Sequence, residues 1–315
     1  MIGFDVNVLP DGTLSLYVIN HRLSGSVVEK FTHSLSTKVL THKTTIPAPG
    51  TGLAKHPNDI YALPARDAEN AFYITSDCRY TSGVLQVIEK FARRPWSHLA
   101  YYSATVGWKL ALDGISMANG ITGDKRGSRI YVSELLEGQI IVLEQTEKEG
   151  VLEQVQKVKI GFLGDNPSLS ADAADLYIAG HVKGLNVFPH IANPDKIASG
   201  SAVARISTRQ LGSGFFGSGY TSDPVVEEIF VDLDGRLVNG SSTAVWWDKH
   251  AISRSEGENE GKGEGLGEGY GEDEAAEEEH FGDLFITGLT GKGIVSAATR
   301  HSHAPRPPRK ATTNL

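Results

Sequence analysis

The 315 residues contain a single cysteine, Cys78. That excludes an internal disulfide and any cysteine-rich zinc site. No apolar run approaches the ~18 residues that a membrane-spanning helix needs. The opening stretch MIGFDVNVLPDG has no basic region and no long apolar segment, so it does not read as a signal peptide. There is no Gly-x-Ser-x-Gly elbow and no His-Glu-x-x-His, and Cys78 has no obvious base beside it in sequence. A hydrolase built on an activated side-chain nucleophile is therefore poorly supported. Outside the C-terminal tail no basic patch is large enough for a nucleic-acid footprint.

What is present fits a globular chain. It is 40% hydrophobic, 22% charged and 8% aromatic, values that exclude a wholly disordered, collagen-like or coiled-coil protein. The net charge of −8 is local. Residues 255–279 hold eleven acids and one lysine, and the remainder holds 29 basic and 27 acidic residues, almost neutral. This tract, SEGENEGKGEGLGEGYGEDEAAEEE, repels itself and has little to bury, so it reads as a disordered loop. A calcium-buffering or partner-binding tract is the sharper alternative. The tail 301–315, with Pro305, Pro307 and Pro308, also reads as unstructured.

The rest is rich in glycine, with 35 residues, and in short β-prone runs. LSLYVINH (14–21), AFYITSD (71–77), RIYVSEL (129–135), DLYIAGH (175–181) and DLFITGL (283–289) share an aromatic near the start. The second-strand candidates are 138–144, 184–188 and 293–297. The markers Tyr17, Tyr73, Tyr131, Tyr177 and Phe285 are spaced by 56, 58, 46 and 108 residues. With the acidic loop removed, the last interval reads as about two units. The period suits four-stranded propeller blades. Weak helical patterns lie near 84–94 and 148–157, too few for a parallel α/β fold. A β-sandwich is the alternative.

Asn and Asp residues recur at strand ends: Asn58-Asp59, Asn119-Gly120 and Asp165-Asn166, with the strand-terminal histidines His21 and His181. Their hard oxygens suit Ca²⁺, which takes roughly six to eight oxygen ligands. Held by Asn58, Asn119, Asp165 and Asn166, the ion would keep net positive charge, polarise an ester carbonyl and stabilise the oxyanion. All three pairs are equally ordinary turn sequences. A strand-end histidine is as readily a structural hydrogen-bonder.

The ordered set LYVINH, HPNDIYAL, FYITSD, WSHLAYYS, MANGI, IYVSELLEGQIIVLE, DNPSLSADAADLYIAGHVKG and GSSTAVW resembles the paraoxonase/arylesterase family across about residues 2–300, apart from the acidic tract. The resemblance implies a six-bladed all-β propeller, here one domain over 1–300, with two calcium ions in its central tunnel. It implies hydrolysis of aryl esters and lactones. Asn58, Asn119, Asp165 and Asn166 match ligands of the catalytic calcium. Asp59 and the backbone carbonyl of Phe4 match ligands of the structural one. His21 matches one histidine of the proposed proton-relay pair, and His181 matches a histidine of the pocket. Asp77 falls in the family's Asn-Asp-His loop, where Ser76-Asp77-Cys78 puts Cys78 in place of histidine.

The departures lie at the start. The family's Glu-Asp pair precedes the part matched here, Ile2 stands where the first relay histidine is expected, and the family's terminal disulfide cannot form. Met1 is accordingly read as a shortened start, leaving an incomplete first blade and weaker calcium sites. The aromatic-rich stretches 95–108 and 215–220 are candidate pocket walls. Members of the family are mostly secreted or membrane-associated. The expected partner is a small ester or lactone, with no nucleic acid. Two other readings stand beside the hydrolase: a non-catalytic binding propeller, and a gluconolactonase-like or strictosidine-synthase-like protein.

Overall fold

The computed structural model describes residues 3–49, 52–64, 70–80, 82–212, 223–248, 279–288 and 294–302. The acidic tract up to residue 278, the stretch 215–220 and the tail from 303 lie outside them. Among the described residues the chain forms nineteen strands, two α-helices and two short 3₁₀ helices.

The strands fall into antiparallel sheets in sequence order. The first holds β1 (Phe4–Val8), β2 (Leu14–Arg22), β3 (Gly25–Ser34) and β4 (Val39–Pro47). The second holds β5 (Pro57–Ala62), β6 (Phe72–Ser76), β7 (Ser97–Ser103) and β8 (Gly107–Ile115). The third holds β9 (Ala118–Gly123), β10 (Arg129–Glu134), β11 (Gln139–Gln145) and β12 (Leu152–Lys159). The fourth holds β13 (Leu163–Leu169), β14 (Asp175–His181), β15 (Ser201–Ser207) and β16 (Glu227–Asp232). The fifth holds β17 (Ser241–Asp248), β18 (Glu279–Gly288) and β19 (Ile294–Ser302). A single parallel pair, Asn166 opposite Thr243, joins the fourth and fifth at their inner strands. The opening strands β1, β5, β9, β13 and β17 pack against one another in that order.

This is an all-β propeller arc, as the repeat implied. The five aromatic markers sit on the second strand of each sheet. Strand alternation explains why the repeat reads as it does. Phe72 and Ile74 pack toward Tyr17, Ile19 and Val28 of the first sheet, while Tyr73 between them turns toward Ile130 and Val132 of the third. Tyr131 in turn joins Leu176 and Ile178 of the fourth sheet, and Tyr177 joins Ala244 and Trp246 of the fifth. The three middle sheets are covered on both faces, so their strands are apolar at successive positions. Burying each such side chain is worth about 1.5–3 kcal/mol. The end sheets differ. Phe4, Val6 and Val8 of β1, and Val245 and Trp247 of β17, leave apolar surface exposed.

Details of the expectation change. The first sheet has its full four strands, and the three-stranded sheet is the last. The long interval before Phe285 is one unit, not two, because β17 and β18 are neighbours across residues 249–278. Glu279 opens β18 and β19 runs to Ser302, so these ends of the segments expected to be irregular are strand. The helix expected near 84–94 is α1 (Gly83–Phe91), but from Leu152 on the stretch 148–157 belongs to β12, held by seven register pairs to β11 with one shift among them. The run 184–188, read as a strand, lies in α2 (Gly184–Ala192). Both helices follow second strands, and Lys90 Nζ of α1 lies 5.6 Å from the Phe188 ring centre of α2.

Candidate metal centre

Each of the three polar pairs lies at a break in a ladder. Between the pairs Pro57–Ser76 and Ile60–Ile74 the register shifts, leaving Asn58-Asp59 as the bulge. The same shift brackets Asn119-Gly120 in β9 and Asp165-Asn166 in β13. A fourth, around Ser242, occurs in β17. A bulge turns side chains that would follow the pleat toward a new direction. Here it repeats at matching places on adjacent inner strands.

Cross-strand contacts show that these bulges meet. Asp59 Oδ2 accepts the Ile121 N–H at 2.9 Å. Asn166 Nδ2 donates to the Ser242 carbonyl and hydroxyl oxygens, both at 3.0 Å. The polar side chains of Asn119 and Ser242 lie beside the Asp165 carboxyl and favour its charged form. The backbones approach closely: a Cβ on Gly120 would stand 2.6 Å from Asn166 Oδ1, and one on Gly3 2.6 Å from Asp59 Oδ1. Glycine is required at both places for space, not for backbone angle. Gly3 thereby carries Phe4 past Asp59. A cavity of about 720 Å³ opens here, lined by Phe4, Asp5, Asn58, Asp59, Asn166 and Ser242 among others.

The electrostatics are those of enclosed acids. Burial pushes Asp165 up to about 7, with the Asp59 charge adding to it. Burial likewise takes Asp59 to about 7, with Asp5 adding. Asp5 reaches about 6 through burial, against two backbone N–H bonds from Ala62 and Val6. Asn58 Oδ1, Asn119 Oδ1 and Asp165 Oδ1 are buried without a hydrogen-bond partner. Buried acceptors normally find one. Three hard oxygens left unpartnered in the bulges of adjacent inner strands, one of them on a costly buried carboxyl and with Asp59 nearby, are a donor set that fits a hard divalent cation.

The two histidines separate. His181 is buried, with Nε2 3.9 Å from Asp165 Oδ2 and Nδ1 3.2 Å from Ser199 Oγ. Burial, with His190 nearby, lowers it to about 4. His21 is exposed, within hydrogen-bond reach of Ser26 Oγ at 2.9 Å, and its ring stacks on His56 at 5.7 Å. Sequence reasoning passed over Asp5, Ser242 and His56. Ser242 was accessible in principle, since GSSTAVW occupies the bulge place of its repeat. Asp5 and His56 have no signal beyond proximity to Phe4 and Asn58.

The arylesterase family profile matches residues 2–252, which include all four bulges. Serum paraoxonase/arylesterase 2 of Rattus norvegicus is 27% identical over 250 residues, covering 79% of this chain and 64% of that protein. Serum paraoxonase/arylesterase 1 of Homo sapiens is 28% identical over 235 residues, covering 74% and 59%. The chain thus spans less than two thirds of the length of these relatives. The periplasmic gluconolactonase PpgL of Pseudomonas aeruginosa superposes with a TM-score of 0.43 at 11% identity, over 95% of this chain and 73% of that one. With the profile running unbroken through every inner strand of the arc, the chain belongs to the arylesterase family.

Proposed function

We propose that this chain is a calcium-dependent hydrolase of carboxylic esters, with aryl esters and lactones as its substrates. One observation carries the reading: the three unpartnered buried oxygens of Asn58, Asn119 and Asp165 on adjacent inner strands. With Asn166, they would hold the catalytic ion. Asp59 and the Phe4 carbonyl would hold a second. When bound, calcium polarises an ester carbonyl and offsets the charge that grows on its oxygen.

The chain's own residues supply the rest. Ser242 and Thr243 fix the Asn166 amide by accepting from its nitrogen, which leaves its oxygen for the channel. The cavity is large enough to take up an aryl ester or a lactone. His181, held neutral above about pH 4, is the base nearest the carboxylates and can accept a proton from attacking water. His21, exposed beside Ser26 and stacked on His56, stands apart from His181 and takes no part in this step. The known activity of the named relatives supports the ester class.

The test is hydrolysis of phenyl acetate and a γ-lactone in calcium and in chelator, on the wild type, Asn119→Ala, Asp165→Ala and His181→Ala. Activity lost in chelator and in the two ligand variants, with His181→Ala lowering kcat, supports the reading. Hydrolysis indifferent to calcium and to Asn119→Ala overturns the mechanism. Calcium binding without hydrolysis would leave the non-catalytic propeller.

A further inference from the structure

A second cluster of ligating side chains lies where β5 and β6 end. Pro57 and Ser76 are the last ladder pair, and Asp77 N donates to the His56 carbonyl at 3.3 Å one step beyond. That places His56 and Asp77 face to face, with His56 Nδ1 2.6 Å from Asp77 Oδ1. Cys78 follows, turned inward and buried. One atom from each side chain, an imidazole nitrogen, a carboxylate oxygen and a sulfur, lies within 4.8 Å of the other two.

We propose that His56, Asp77 and Cys78 form a further metal site, for a borderline divalent cation of the Zn²⁺ class. The donor set decides the class. Calcium prefers oxygen alone, whereas imidazole and thiolate suit zinc-like ions. In a tetrahedral site with bonds of about 2.0–2.3 Å, neighbouring donors stand roughly 3.5 Å apart. The His56–Asp77 pair would open by roughly 1 Å and the longer distances, up to 4.8 Å, would close by about 1 Å.

The surrounding chain holds the donors in place. Glu89 of α1 accepts the Arg79 and Tyr80 N–H groups at 2.8 and 3.0 Å, fixing the turn after Cys78. His98 Nε2 accepts the Ala54 N–H at 3.3 Å, fixing the segment before His56. Carriers fixed in this way keep ligand geometry. His56 is half-exposed, which gives an ion an entry and leaves a fourth position for water. Binding releases the Cys78 thiol proton and, from the imidazolium that Asp77 favours, the Nδ1 proton of His56, which then coordinates through Nδ1 and keeps its proton on Nε2. Burial and the neighbouring Asp77 hold the thiol's pKa high, so affinity should rise with pH. The site needs none of the channel residues, so it stands or falls apart from the hydrolase reading.

The experiment uses the full chain, reduced and saturated with calcium, titrated with Co²⁺ as a spectroscopic probe and then with Zn²⁺. Expected are one Co²⁺ with a thiolate-to-cobalt charge-transfer band, displacement by Zn²⁺, and release of the thiol and imidazolium protons. Cys78→Ser should abolish the band. His56→Ala, at a half-exposed position that spares the fold, should weaken binding by about tenfold or more. Asn119→Ala should change neither. Co²⁺ bound without the band, or with the same band in Cys78→Ser, overturns the site. So does Zn²⁺ affinity unchanged by His56→Ala.

Discussion

Withdrawing calcium should destabilise the protein at alkaline pH and hardly at all at acid pH. The sign follows from the channel acids. Asp165 and Asp59 sit at about 7, raised from 3.8 chiefly by burial. Between those two values the folded chain holds protons that the unfolded chain has released. Stability in chelator therefore falls as pH rises from about 4 to about 7, and then levels off. For Asp165 alone, a shift of about three units corresponds to roughly 4 kcal/mol. A cation bound to the ionised acids opposes that loss. At a hundred times its Kd, calcium adds about 2.7 kcal/mol. For a domain of this size that amounts to roughly 5–10 °C in Tm. The assay is a pair of thermal melts, in calcium and in chelator, at pH 8 and pH 5. The gap should be near that size at pH 8 and close to nil at pH 5. Asp165→Asn should narrow the pH 8 gap. An equal gap at both pH values, or none at pH 8 in millimolar calcium, would refute the reasoning.

Three further outcomes are expected. Gly120→Ala drives a Cβ to within 2.5 Å of the Asn166 Cα. It should cost about 1–3 kcal/mol and weaken calcium binding as well, measured by melting and titration; a neutral change would show that β9 and β13 can separate. Glu29 is pushed up by burial, but bonds from Thr45, His42, Asn20 and Arg22 outweigh this and hold it at about 2. Its contribution is present above the unfolded value of 4.5 and is lost as pH falls toward 2, so Glu29→Gln should flatten the acid limb of Tm against pH. Deleting residues 255–278, between Asp248 of β17 and Glu279 of β18, should leave Tm within a few degrees, because loop closure depends only logarithmically on length.

The fold was legible where one physical rule governed a residue. Tyr73, Tyr131 and Tyr177 mark second strands because a strand covered on both faces places a large ring against the next sheet at every repeat. The misreadings come from segments where two rules compete. GLNVF is a short apolar run, equally good as strand or helix, and in the chain it belongs to α2. LEQVQKVK has helical spacing, but seven register pairs with β11 decide its form. The polar pairs were ambiguous for another reason. Asn-Asp, Asn-Gly and Asp-Asn are turn sequences, and a bulge uses the same backbone permissiveness inside a strand. Only the family resemblance separated the two, and it did not extend to Asp5.

The bulges also explain why the channel tolerates groups that a core would reject. A regular inner strand would point alternate side chains into the apolar layers between sheets. An isolated carboxylate there would cost several kcal/mol. One extra residue per strand instead takes the polar pair out of the pleat and keeps the flanking residues, such as Ile60 and Ile121, in the apolar clusters. The stabilising contacts and the costly ones thus lie on the same strands but face different ways. The three open oxygens can persist because the clusters between sheets do not depend on them. It follows that variants of Asn58 or Asn119 should alter ion binding far more than folding, whereas loss of a buried side chain such as Ile178 should do the reverse, at about 2–5 kcal/mol for Ile178→Ala. Equal losses of Tm and of calcium affinity in both kinds of variant would mean that site and core are one cooperative unit, and the separation drawn from the bulges would not hold.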